Sequence, residues 1–220
     1  MLILALDTTA LTATAAVTDD EKLIGLYTLN TSLTHSETML PMIENLLHNS
    51  KISIKDIDKF ACSAGPGSFT GVRIGISIIK GLAFGTGKPC VGVSTLEALA
   101  YNLNGFDGVI SPVMDARRSQ VYNALFRNGE RLCEDRLITV DELQEDIKKY
   151  GEKIYYTGDG YKLIHYNETV TPEILRYQNA YSAAQLALNE NSVADIELSP
   201  VYLRASQAER KLKEKQKNTV

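Results

Sequence analysis

Gly65-Pro66-Gly67-Ser68-Phe69-Thr70-Gly71-Val72-Arg73-Ile74-Gly75 is the stretch that decides the fold. The apolar run 58–64 before it reads as a strand, and the apolar run 69–84 that it opens reads as a helix. A glycine-rich turn between strand and helix presents backbone N–H groups at a helix N-terminus, a natural cradle for an anion. Pro66 and Gly67 set the turn, and Ser68 is a good N-cap. Glycines continue inside the helix at 71, 75, 81 and 85, each costing about 1 kcal/mol relative to alanine. Two readings account for them. Another backbone or a ligand lies close against Gly71 and Gly75, or the helix is packed tightly on its own core.

Outward from this motif, 220 residues with 44% hydrophobic side chains suffice for one large domain or two small ones. No apolar run approaches the 18 residues of a membrane span, and residues 1–6 enter a strand pattern without the basic flank of a signal peptide. Cys62, Cys90 and Cys133 are odd in number and widely spaced, which predicts reduced thiols and a cytoplasmic protein. His35, His48 and His165 lack metal-type spacing, so no metal site is expected. A net charge of −4 argues against binding nucleic acid alone through a basic face. The exception is the tail, where Arg210, Lys211, Lys213, Lys215 and Lys217 outnumber Glu209 and Glu214. Such a tail reads as a solvated helix end, or as an RNA contact within a complex.

The chain restarts its pattern about 108 residues on. Leu2–Asp7 is an apolar strand ending in Asp7; 109–114 is another, followed by Asp115. Each is succeeded by an alternating strand (12–17; 119–126), a polar turn and a third strand (23–29; 131–139). Each half then has a helix and a strand. In the first, Thr34 and Glu37 have capping-box spacing, and Met39, Met42, Ile43, Leu46 and Leu47 share one face. Pro41 predicts a kink or a delayed start there. Two β-β-β-α-β units predict a duplicated α/β fold with a cleft between halves: residues 1–104, residues 105–205, and a basic tail, 206–220. A helix is expected at 180–188 and an extended segment at 199–204; 168–179 carries no clear signal.

Asp7-Thr8-Thr9, HSETMLPMIENLL (35–47), GPGSFTGVRIG (65–75), Gly92-Val93-Ser94-Thr95-Leu96 and Pro200-Val201-Tyr202-Leu203-Arg204 occur in the order in which they occur in bacterial TsaB (YeaZ) proteins. The chain resembles that family from residue 1 to about 204. The resemblance implies the actin-like, Hsp70-like and sugar-kinase-like ATPase (RNase H-like) fold. It also implies a role in making threonylcarbamoyladenosine in tRNA, paired with the metal-bearing transferase TsaD and joined by the ATPase TsaE. By resemblance, tRNA is met through the complex, and the chain pairs with a second copy when TsaD is absent.

The catalytic relative holds its metal on a helix carrying HxxxH. The corresponding positions here are Thr95 and Leu99, which are not ligands, so the expectation is a scaffold without catalytic residues. By resemblance its two contact helices offer His35, Met39, Met42, Ile43, Leu46, Phe69, Gly71, Val72, Gly75 and Ile76 to the partner. Asp7, Thr8, Thr9, Gly67, Ser68 and Thr70 are the candidates for an anion or nucleotide near that interface, with no cofactor of the chain's own. Rival readings are a stand-alone nucleotide-binding phosphotransferase or ATPase, and a glycoprotease-like peptidase. The first is disfavoured because Ala10-Leu11 lacks the expected glycine and Arg117-Arg118 would obstruct a phosphate loop. The second is disfavoured because no histidine lies near Ser63, Ser68 or Ser94 in sequence.

Overall fold

The computed structural model describes residues 1–31, 33–151, 153–164, 168–169 and 171–204; the basic tail lies outside them. In the first half, β1 (Leu2–Asp7), β2 (Ala13–Asp19) and β3 (Lys22–Leu29) lead to α1 (His35–Ser50). Then come β4 (Lys59–Ser63), α2 (Phe69–Thr86), β5 (Cys90–Val93) and α3 (Thr95–Tyr101). The second half has β6 (Val109–Asp115), β7 (Gln120–Arg127), β8 (Glu130–Thr139), α4 (Val140–Lys148), β9 (Ile154–Thr157), β10 (Glu168–Thr169) and α5 (Ala180–Asn189).

The two sheets have the same topology. One runs β3-β2-β1-β4-β5 and the other β8-β7-β6-β9-β10. In each, the first strand is antiparallel to the second and parallel to the fourth, so Asp7 and Asp115 end equivalent central strands. The halves differ after the fourth strand. Where the first half has α2, the described residues of the second have a short 3₁₀ turn, Asp159–Leu163.

Local chemistry explains the helix ends. Thr34 donates to the Glu37 carboxylate from its N–H (3.2 Å) and its hydroxyl (2.7 Å), fixing the start of α1 at His35. Pro41 therefore does not delay the helix; it lies inside it. Ser68 Oγ accepts from Gly71 N at the start of α2, and Gly87, with a φ of 67°, ends it.

α1 and α2 cover one face of the first sheet, burying Leu4, Leu6, Val17, Phe60, Met39, Leu46 and Ile79. Each such large side chain contributes about 1.5–3 kcal/mol. The opposite face, Ile3, Ala5, Ala61 and Val91, is covered by Ala180, Ala183, Ala184 and Ala187 of α5. Alanines let that helix backbone come close to the strands. Conversely, Leu96 and Leu99 of α3 and the following Leu103 pack on Ile110, Met114, Ala124 and Phe126 of the second sheet. The last helix of each half thus covers the other half's sheet.

Candidate functional site

The glycine turn is built against the β1–β2 tip. Ser68 N donates to the Thr9 carbonyl (2.8 Å), and Thr8 Oγ1 donates to the Gly71 carbonyl (2.7 Å). A Cβ on Gly67 would stand 2.6 Å from Thr9 O, and one on Gly75 2.6 Å from Thr8 Oγ1; on Gly71 it would overlap Thr8 O. What lies against Gly71 is the chain's own backbone at Thr8, and against Gly75 the side chains of Thr8 and Leu6, and this close packing offsets the helix cost of those glycines. Asp7 is enclosed, and its Oδ1 accepts from Thr9 N (2.8 Å) and Thr9 Oγ1 (2.7 Å). Burial pushes its carboxyl above the usual range, against the opposing pull of the Ser63 hydroxyl and of Thr9. Of the six anion candidates, Asp7, Thr8 and Thr9 are buried, Gly67 is half-buried, and Ser68 and Thr70 are exposed.

A C-terminal strap, residues 199–204, crosses from this turn to the second half. Val201 N donates to Ala64 O (2.8 Å), and Val201 O occupies the space a Gly65 side chain would need. The Tyr202 ring stacks on Phe69 at 4.5 Å and 18°, while Arg73 Nε donates to its hydroxyl (2.7 Å). Leu203 packs with Ala10 on the core of the second half, and Arg204 donates to Ala116 O and Gln120 Oε1. In the second half Asp159 Oδ1 accepts from Asp115 N (3.1 Å), and burial raises the Asp159 carboxyl. At the two central strand ends, Asp7 Oδ1 is engaged by Thr9 and Asp115 Oδ1 accepts from Arg117 N (2.6 Å).

The partner-facing residues read from the sequence need correction. Met39, Met42, Ile43, Leu46, Val72 and Ile76 are 5% exposed or less, and Gly71 and Gly75 are also buried. A helix lying on a sheet must turn its apolar face inward. These eight residues belong to the chain's own core. Phe69 is half-buried beneath Tyr202, and half-buried His35 places Nε2 2.7 Å from Ala10 O. The outer face is different: Leu40 on α1 is 52% exposed and Phe84 on α2 79%, with open space at Gly81 and Gly85. The apolar period of α2 marks only its buried side; the two glycines with no core neighbour were the available sign of the outer one.

Comparison with known proteins gives this arrangement its relatives. The family model described as "TsaD: tRNA N6-adenosine threonylcarbamoyltransferase" matches residues 18–215. The "tRNA threonylcarbamoyladenosine biosynthesis protein TsaB" of Bacillus subtilis (strain 168) is 34% identical over 232 residues, covering 99% of this chain and 100% of the relative. The chain belongs to the TsaB family. YeaZ from Pseudomonas aeruginosa has the same fold, with a TM-score of 0.79 at 24% identity over 92% of this chain and 99% of that one. An activator of 2-hydroxyisocaproyl-CoA dehydratase from Clostridium difficile, solved with bound ADPNP, matches with a TM-score of 0.51 at 12% identity, over 97% of this chain and 98% of that one. The fold is the actin-like ATPase fold.

In this TsaB-family chain the positions corresponding to HxxxH are closed. Thr95 and Leu99 are fully buried, Leu99 among the apolar residues between α3 and the second sheet. Among the described residues no three His, Cys, Asp or Glu side chains gather to hold a metal. Ser68 Oγ accepts from Gly71 N and Ser94 Oγ donates to Asp135 (2.6 Å), while Ser63 is buried beside Asp7. No helix among the described residues is long and apolar enough to cross a membrane.

Proposed function

We propose that this TsaB-family chain is a non-catalytic scaffold in the synthesis of tRNA threonylcarbamoyladenosine. The outward faces of α1 and α2, around Leu40 and Phe84, pair with a TsaD-type transferase, and with a second copy when the transferase is absent. A TsaE-type ATPase docks on that pair, tRNA is bound by the assembly, and the setting is the cytoplasm. The chain has no cofactor of its own. It acts by favouring one arrangement of the transferase, where the chemistry stays.

The observation that carries this reading is the burial of Thr95 and Leu99, which stand, by resemblance, at the positions of the catalytic relative's HxxxH and cannot hold a metal there. Support for the pairing face comes from two exposed large apolar side chains and two unfilled glycines on helices that share one side of the first sheet. The test is reconstituted tRNA threonylcarbamoylation with TsaD- and TsaE-type proteins, ATP and the threonylcarbamoyl-adenylate donor. Modification is expected to require this chain, while the chain alone shows no nucleotide turnover. Equal modification without it would remove the reading, and magnesium-dependent turnover by the isolated chain would favour an ATPase.

A further inference from the structure

The β6–β7 hairpin ends in an unusual tip. Arg117, Arg118 and Ser119 have φ values of 63°, 57° and 55°, three consecutive non-glycine residues in the left-handed region. L-residues visit that region singly, and chiefly as Asn or Asp. Gln120 N donates to Arg117 O (3.2 Å), which puts Arg118 and Ser119 at the central positions of the turn. Hairpins ordinarily place Asn or Gly there. An arginine at such a place is not explained by backbone preference.

The surroundings hold the tip in this shape. Arg117 N donates to Asp115 Oδ1 (2.6 Å), Ala116 N to Gln120 O (3.0 Å), and Val140 N to Ser119 O (3.0 Å). Arg204 of the strap bonds Ala116 O and Gln120 Oε1 from the other side. The two arginines themselves are exposed and make no ion pair among the described residues, in a chain with 27 acidic side chains. The N–H groups of Arg118 and Ser119 likewise find no acceptor among the described residues. In the first half the equivalent tip is turned inward, with Thr8 and Thr9 buried against the glycine turn.

We propose that Arg117-Arg118-Ser119 is a phosphate-contact site that takes the backbone of RNA. The planar fork of an unpaired guanidinium matches the two non-bridging oxygens of a phosphodiester, and two guanidiniums beside two free N–H groups can hold neighbouring phosphates. The site carries no sequence information; it positions the nucleic acid. An acidic chain thereby offers RNA a small, rigid cationic point rather than a basic face. This rests on the role in tRNA modification proposed above.

The test uses the full chain assembled with a TsaD-type transferase. Binding of unmodified tRNA is followed by fluorescence anisotropy from 50 to 300 mM KCl. The pair Arg117→Asn/Arg118→Asn removes both charges and suits positive φ. A second pair, Arg117→Gln/Arg118→Gln, keeps the backbone demand of the native residues. Both pairs are expected to weaken tRNA binding about tenfold and to flatten the plot of log Kd against log salt by roughly one to two units, as lost phosphate contacts do. Melting temperature and pairing with the transferase stay unchanged. Unchanged tRNA affinity and slope in either folded pair overturns the site, even where modification still requires the chain. A loss of transferase pairing instead assigns the arginines to an acidic protein surface. Weakened binding of inorganic phosphate or ATP with tRNA binding intact assigns them to a free phosphate. Modification that never requires the chain is a separate failure, of the scaffold reading.

Discussion

Thr8 and Gly71 hold each other twice. The Thr8 hydroxyl donates to the Gly71 carbonyl over 2.7 Å, and the Thr8 carbonyl fills the place of a Gly71 side chain. The end of the central strand is thereby fastened to the first turn of α2, and the glycine motif is explained within a single chain.

Gly71→Ala is accordingly expected to lose about 2 kcal/mol, because overpacking outweighs the gain in helix propensity. Gly81→Ala, whose Cβ enters open space, is expected to gain up to about 1 kcal/mol. Urea unfolding of both variants checks this; shifts of the same sign would contradict it. Gly75→Leu is unsuitable as a test of pairing, since its Cβ would meet Thr8 Oγ1 at 2.6 Å and the fold itself would suffer.

Pairing is better tested on the outer face. Leu40→Glu and Phe84→Glu are expected to keep the melting temperature within a few degrees while weakening association with the transferase at least tenfold, about 1.4 kcal/mol. Calorimetric titration of the two proteins reads this directly. Undiminished affinity in both variants would move the interface off these helices.

The strap makes its own prediction. Tyr202→Ala removes a ring stack and a hydrogen bond to Arg73, together about 1–3 kcal/mol of stability. Arg204→Ala is expected to destabilise comparably, by freeing Ala116 O and Gln120 Oε1. Thermal melts of the single and double variants measure both. The double variant should lose less than the sum, because either change alone loosens the same segment.

Asp7 sets a pH dependence. Its folded carboxyl is raised above the unfolded value of 3.8, chiefly by burial. Between those two values the unfolded chain binds fewer protons than the folded one, so stability falls as pH rises. The contribution is fully present below 3.8 and is lost through the raised folded value. Asp7→Asn, which can still accept from Thr9, should abolish this decline. Its stability relative to the native chain should therefore improve from pH 4 to pH 7 in urea unfolding. A constant difference across that range would show that Asp7 titrates alike in both states.

Much of the fold is legible in the sequence. Leu2–Asp7 and 109–114 announce themselves by unbroken apolarity, and Thr34 with Glu37 announces a helix start, because those signals are local. The role of Met39, Met42 and Leu46 was not legible: helical period reveals that a face is covered, not what covers it. Gly71 and Gly75 signal close packing, but a partner backbone and a distant part of the same chain demand the same small residue. Tyr202 on Phe69 joins residues far apart in sequence, and no spacing rule reports such a contact. The left-handed run at Arg117 was hidden for the opposite reason: its residue types point away from the conformation they adopt.

The exchange of terminal helices governs how the chain can come into being. A nascent chain leaves the ribosome N-terminus first, and its first sheet is complete once Cys90–Val93 has emerged. Ile3, Ala5, Ala61 and Val91 then stay bare until the alanines of α5 are made, some ninety residues later. Residues 1–104 alone would carry an uncovered apolar face, together with an α3 that lacks the sheet it is shaped for. The halves are built to mature together, and neither is a module that can be cut out and expected to stay soluble.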